Sequence, residues 1–260
     1  MSEERVSIVP LFNFDGDVES MKLTDGVCLR RTENRELEGL LEKVTRHIIA
    51  YAPLLEPKYI LEDKTQPHSM KRVDDTILAL RLLKAGSVQT AATFHLRNKN
   101  RVTLTIYRDL ASVIFPKNPL FLKNEDTPDF IRLWHKVQDL GSKQYLEFPL
   151  KIFTETYKEE VPEDRVVDYM VAFESLAFRN VGDIGRKGTS LAIAISMFLG
   201  NSKKERDMIR EDMKKAYDVR NAKVHALLEK LEEFREQNIG ELAVRIENCL
   251  RLSLRRLVEE

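Results

Sequence analysis

Residues 189–225 read TSLAIAISMFLGNSKKERDMIREDMKKAYDVRNAKVH, and they are preceded at 162–178 by PEDRVVDYMVAFESLAF. These two stretches decide the fold class of the C-terminal half. Pro162 can open a helix, because its missing N–H costs nothing in the first turn. Val166, Val167, Met170, Phe173, Leu176 and Ala177 then recur at helical spacing on one side. From about Thr189 a small-residue apolar helix runs to Leu199, where Gly200 stops it, and its apolar residues are expected in the core. Ser202 caps a charged helix that runs to or through the Arg220 region, and a last helix covers about Asn238 to Val258.

Upstream, Asp126 or Thr127 caps a helix through Leu140, stopped by Gly141. A second helix spans roughly Ser142–Tyr157, with Pro149 expected to kink or split it. The first third has a different texture. Arg5–Phe14, Glu19–Leu23 and Val27–Arg31 are β-like runs separated by Asp15-Gly16 and Asp25-Gly26 turns. A helix follows, with Thr32 as N-cap and Leu37, Leu40, Leu41, Val44, Ile48 and Ile49 on its apolar side. Lys58–Glu62, Asp75–Leu83, Gln89–Leu96 and Arg101–Arg108 read as further strands, with Gly86-Ser87 and Asn98-Lys99-Asn100 as turns. The fold class is therefore α+β: residues 1–124 form an antiparallel sheet with a helix against it, a recognition or regulatory domain, and residues 125–260 form a helical bundle.

Composition narrows the function. The 42 basic and 42 acidic residues cancel, and the halves differ only mildly in charge. Any nucleic-acid binding must then come from a local patch rather than a long-range field. Cys28 and Cys249 are isolated, which argues against a disulfide framework or a zinc site. The opening MSEERVSIVP lacks the pattern of a signal peptide, and the longest apolar run, Leu191–Leu199, is far short of the roughly 20 residues a membrane span needs. A cytoplasmic protein is expected.

The order of motifs in residues 164–226 resembles the Apea-like branch of the HEPN superfamily. The resemblance rests on Ala172, Glu174 and Leu176 in one helix and Leu199-Gly200 ending the next. Tyr217, Arg220, Asn221 and His225 complete it in a Tyr-x-x-Arg-x4-His arrangement. PLFNFDG, DGVCLRR and LALRLLKAG near the start are similar to the leader region of such proteins. The resemblance implies an endoribonuclease that needs no metal and no cofactor, acting in defence, as a toxin or in a stress response. It also implies a homodimer in which two motifs face one cleft. It leaves room for a regulatory protein partner and involves no membrane.

The residue types suit that chemistry. Cleavage of RNA by its own 2′-hydroxyl needs a proton acceptor, a proton donor and a cation facing the transition-state phosphate. Histidine is the side chain that exchanges protons near neutral pH, which points to His225. Arg220 offers a permanent positive fork for phosphate oxygens, and Asn221 can bond the phosphate or orient His225. Tyr217 and Glu174 would support these groups. Lys203, Arg206, Arg210, Lys214 and Lys223 are candidates for tracking the RNA backbone.

Geometry constrains the site. Five residues of regular helix advance about 500°, so Arg220 and His225 point about 140° apart. Either the helix ends or bends within Asn221–Val224, or two protomers share the site. Plainer readings stand beside these: Arg220 in a structural ion pair with Glu174, His225 without a role, and the Lys203–Lys214 stripe as a solvated, self-paired face. On the plainer view the chain is a non-catalytic HEPN module that binds a nucleotide or a protein partner. The glycine-bearing segment Gly182–Gly188 does not match a phosphate-binding loop.

Overall fold

A computed structural model of the chain describes residues 5–45, 48–65, 70–98, 101–107, 118–178 and 187–260. The expected strand end at Arg108, the turn residues Lys99 and Asn100, and most of the Gly182–Gly188 segment lie outside them.

The chain divides into two compact units, residues 1–138 and 139–260. The first holds a six-stranded, wholly antiparallel sheet in the order β3-β4-β5-β1-β6-β7. Its strands are β1 (Arg5–Leu11), β3 (Ser20–Thr24), β4 (Val27–Arg31), β5 (Tyr59–Asp63), β6 (Ala92–Arg97) and β7 (Arg101–Ile106). A small parallel pair joins β2 (Phe14–Gly16) to β8 (Leu120–Leu122). Helix α1 (Glu36–Val44) sets Leu37, Leu40 and Leu41 against Ile8, Ile60 and Phe94 of the sheet. Each such fully buried side chain contributes roughly 1.5–3 kcal/mol.

Thr32 does not cap α1. Its N–H and hydroxyl go to the Lys58 carbonyl, at 2.9 and 3.2 Å, which ties the chain to β5. The helix starts at Glu36 after Arg35 adopts a left-handed turn with φ 59°, and the Glu36 carboxylate accepts the Glu33 N–H at 3.0 Å.

The segment expected as a strand at Asp75–Leu83 is instead part of helix α2 (Met70–Leu83). A short continuous apolar run fits a buried strand or a buried helix equally well. Here the run extends back through Met70 and Val73 and becomes long enough for a helix. Helix α3 (Thr127–Gln138) packs on α2, with Trp134 Nε1 donating to Thr76 Oγ1 at 2.9 Å and Gln138 donating to Asp75 at 2.7 Å. The unit boundary therefore falls after α3, at residue 138 rather than 124.

Among the described residues the second unit's regular structure is helical: α4 (Glu147–Glu155), α5 (Pro162–Ala177), α6 (Lys187–Leu199), α7 (Lys203–Val224), α8 (Leu228–Glu236) and α9 (Ile239–Glu259). Pro149 lies in the first turn of α4, where a proline is tolerated, and the expected Ser142–Tyr157 helix is split into short turns and α4. Helix α5 is central, packing on α4, α7 and α9 through Val166, Tyr169, Met170 and Phe173, all buried. Helix α6 is only half core: Leu191, Ala192 and Ile195 are buried, but Ile193 and Met197 are exposed, Met197 by 61%.

Candidate functional site

Helix α7 carries every residue of the Tyr-x-x-Arg-x4-His arrangement except its last, and its two ends explain where the site lies. At the start, Ser202 and Glu205 form a reciprocal capping box: Ser202 Oγ accepts the Glu205 N–H at 3.2 Å, and Glu205 accepts the Ser202 N–H at 3.1 Å. The helix then runs without a break to Val224.

His225 is the C-cap. Its N–H donates to the Asn221 carbonyl at 3.0 Å. Ala226 follows with φ 52°, its N–H donating to Lys223 O at 3.2 Å, and Leu227 N–H reaches back to Ala222 O at 2.8 Å. These two bonds around a left-handed residue make a Schellman ending. The His225 side chain is left exposed, with no side-chain hydrogen bond among the described residues. The last turn is held from outside by Lys223, which pairs with Asp164 of α5 at 2.8 Å.

One turn back, Arg220 is only a quarter exposed. Its guanidinium stands 3.6 Å from Glu174 of α5, donates to Asn221 Oδ1 at 3.2 Å and lies 5.8 Å from the Tyr217 ring centre. The Tyr217 ring packs against Gly188 of α6, where a Cβ would lie 2.5 Å from the ring. Arg220, Asn221, Tyr217 and Glu174 are thus gathered into one cluster on two packed helices, α5 and α7. His225 stands apart from it: the Asn221 oxygen serves Arg220, and no bond from the Asn221 side chain reaches His225.

The expected basic stripe is largely committed elsewhere. Arg206 donates to the Gly200 carbonyl at 3.2 Å and closes the end of α6. Lys223 is in its pair with Asp164, and Arg210 faces Asp207 at 3.6 Å. Lys203 and Lys214 are exposed and form no ion pair among the described residues. On the opposite side Met213, Ala216 and Val219 are buried as the periodicity predicts, but Met208 is 56% exposed.

A second polar cluster lies within the same unit and has no counterpart in the sequence reading. The Glu247 carboxylate on α9, almost fully buried, accepts from Tyr157 at 2.9 Å, from Tyr169 at 3.1 Å and from Arg165. Burial pushes the Tyr169 phenol up, and the Glu247 charge pushes it further in the same direction. The i, i+4 spacing of Arg165 and Tyr169 is the one local signal, but their partner is far along the chain. Every oxygen of Glu247 is occupied within the unit, so the cluster reads as a brace between α5 and α9.

Among the described residues, no group of three or more His, Cys, Asp or Glu side chains is placed to hold a metal ion, and no helix is long and apolar enough to cross a membrane. No family model, no curated protein and no solved structure matches this chain.

Proposed function

We propose that the chain is a metal-independent endoribonuclease of HEPN type, working in a defence, toxin or stress response, with Arg220 and His225 of two protomers meeting across a shared cleft. The supporting observation is an exposed imidazole at the end of an unbroken helix. Because α7 stays helical through Val224, Arg220 and His225 project about 140° apart, and one protomer does not aim both at one phosphate. A two-fold arrangement supplies the missing group.

In the proposed reaction the RNA 2′-oxygen attacks the adjacent phosphorus while the bond from phosphorus to the 5′-oxygen breaks. The His225 imidazole takes the 2′ proton and, as imidazolium, gives a proton to the leaving 5′-oxygen. Arg220 of the other protomer faces the charge that builds on the phosphate oxygens, while Tyr217 and Glu174 hold its direction. Incubation with RNA in EDTA tests this. Arg220→Ala and His225→Ala should each abolish cleavage, and mixing the two variants should restore part of it, because a mixed dimer keeps one complete Arg–His pair. Cleavage retained by both single variants removes the nuclease reading, and no recovery on mixing removes the shared site.

The Glu174–Arg220 pair favours one alternative: a non-catalytic HEPN module binding a nucleotide or protein, in which Arg220 serves the fold. It expects intact RNA in the same assay and a clear loss of thermal stability in Arg220→Ala.

A further inference from the structure

The sheet carries a charge arrangement that the proposed catalytic residues do not use. From Thr76 to Arg108 the sequence contains no Asp or Glu, although Arg97 and Arg101 bracket the β6–β7 connection within it. The strand register places Arg5 of β1 directly opposite Arg97 of β6, and Arg97 directly opposite Arg101 of β7. Directly facing residues of antiparallel strands project to the same face. Three arginines therefore stand in one row across three adjacent strands, within a span of about 10 Å at ordinary strand spacing. All three are exposed, and Arg97 and Arg101 form no ion pair among the described residues.

The neighbouring row on that face is Ser7, His95 and Thr103, with Ser7 Oγ and His95 Nδ1 3.1 Å apart. Ser7 is buried and His95 half-buried, Thr103 is exposed, and none of the three is a carboxylate. Asp63, opposite Ser7 on β5, is buried and engaged by Arg72 and Thr65. Like charges placed directly opposite destabilise a sheet, so Arg97 facing Arg101 weakens the isolated fold. An anion from outside would reverse that sign. Guanidinium groups match phosphate oxygens in pairs, and a row of them suits consecutive phosphates.

We infer that the Arg5–Arg97–Arg101 row is a phosphate-binding strip that grips the backbone of single-stranded RNA; the choice of RNA rests on the nuclease reading above. Recognition there is independent of base sequence and strongly dependent on salt.

Binding of the full-length protein to a labelled 2′-O-methyl RNA oligonucleotide, which its own 2′ position cannot cleave, tests the strip. Loss of two phosphate contacts in Arg97→Ala/Arg101→Ala should weaken binding about 25-fold at 0.1 M salt and reduce the slope of log K against log salt by about 1.4. The Arg97→Lys/Arg101→Lys protein should recover most of the affinity, and the alanine protein should melt no lower than the wild type. Wild-type affinity in the alanine variant, or no binding by the wild type, overturns the strip. The nuclease reading is judged separately, by cleavage of unmodified RNA with the strip intact.

Discussion

The Arg220 guanidinium stands 3.6 Å from the Glu174 carboxylate, and both Arg220 Nε and Glu174 Oε1 are buried with no hydrogen-bond partner among the described residues. That separation is too long for a hydrogen bond, so the pair is held by charge alone. Glu174→Gln should therefore lower the unfolding free energy by less than about 1 kcal/mol, the range of loosely held, partly exposed pairs. Breaking a well-formed buried pair costs about 3–5 kcal/mol, and a urea-unfolding loss of that size would identify Arg220 as a structural anchor. Urea unfolding thus measures how far Arg220 serves the fold, while RNA cleavage in EDTA decides the nuclease reading.

Gly188 leaves room for the Tyr217 ring, since a Cβ there would lie 2.5 Å from it. Gly188→Ala should destabilise the protein by about 1–3 kcal/mol, as overpacking does. In a Tyr217→Ala background most of that penalty should vanish, giving a coupling that a double-mutant cycle measures directly. Additive losses would mean that the ring moves aside without cost.

The parts of the fold legible in the sequence are those with local signals. Pro162, Gly200, Ser202 and Glu205 sit at helix ends whose chemistry is written within a few residues, and α5, α6 and α7 follow from them. Helix α2 is not legible because Thr76–Leu83 is apolar at almost every position, which hides its period. Helix α8 buries only Leu231 and shows no stripe. In the site, the Glu174–Arg220 pair is within reach because facing helices and opposite charges suggest it. The arginine row is not, since it depends on a register joining Arg5 to a strand far along the chain.

Ala226 occupies the left-handed position of the Schellman ending, with φ 52°. An L-residue with a Cβ is strained there by roughly 1–2 kcal/mol, and glycine is not. Ala226→Gly should accordingly raise the unfolding free energy by about 1 kcal/mol, somewhat offset by the greater freedom of glycine in the unfolded chain. Ala226→Val should lower it. Denaturant titrations check both, and a glycine variant less stable than the wild type would contradict the assigned helix ending.

The pH dependence of stability should show the link between α5 and α8. Glu163 is almost fully buried, which by itself would raise its pKa, but the hydrogen bond and charge of Arg235 outweigh this and hold the carboxyl below its usual range. Arg235 Nε donates to Glu163 Oε1 at 3.0 Å. A carboxyl whose folded-state pKa is depressed stabilises the native state above its unfolded-state pKa, and that contribution is lost as pH falls through the folded-state value. Glu163→Gln should therefore be less stable than the wild type at pH 7, and the gap should close as pH is lowered through the carboxylate range. Thermal melts of both proteins across that range measure the closing directly. A gap that is constant with pH would mean that the ion pair does not contribute, and that the loss at pH 7 comes from packing around the substituted side chain.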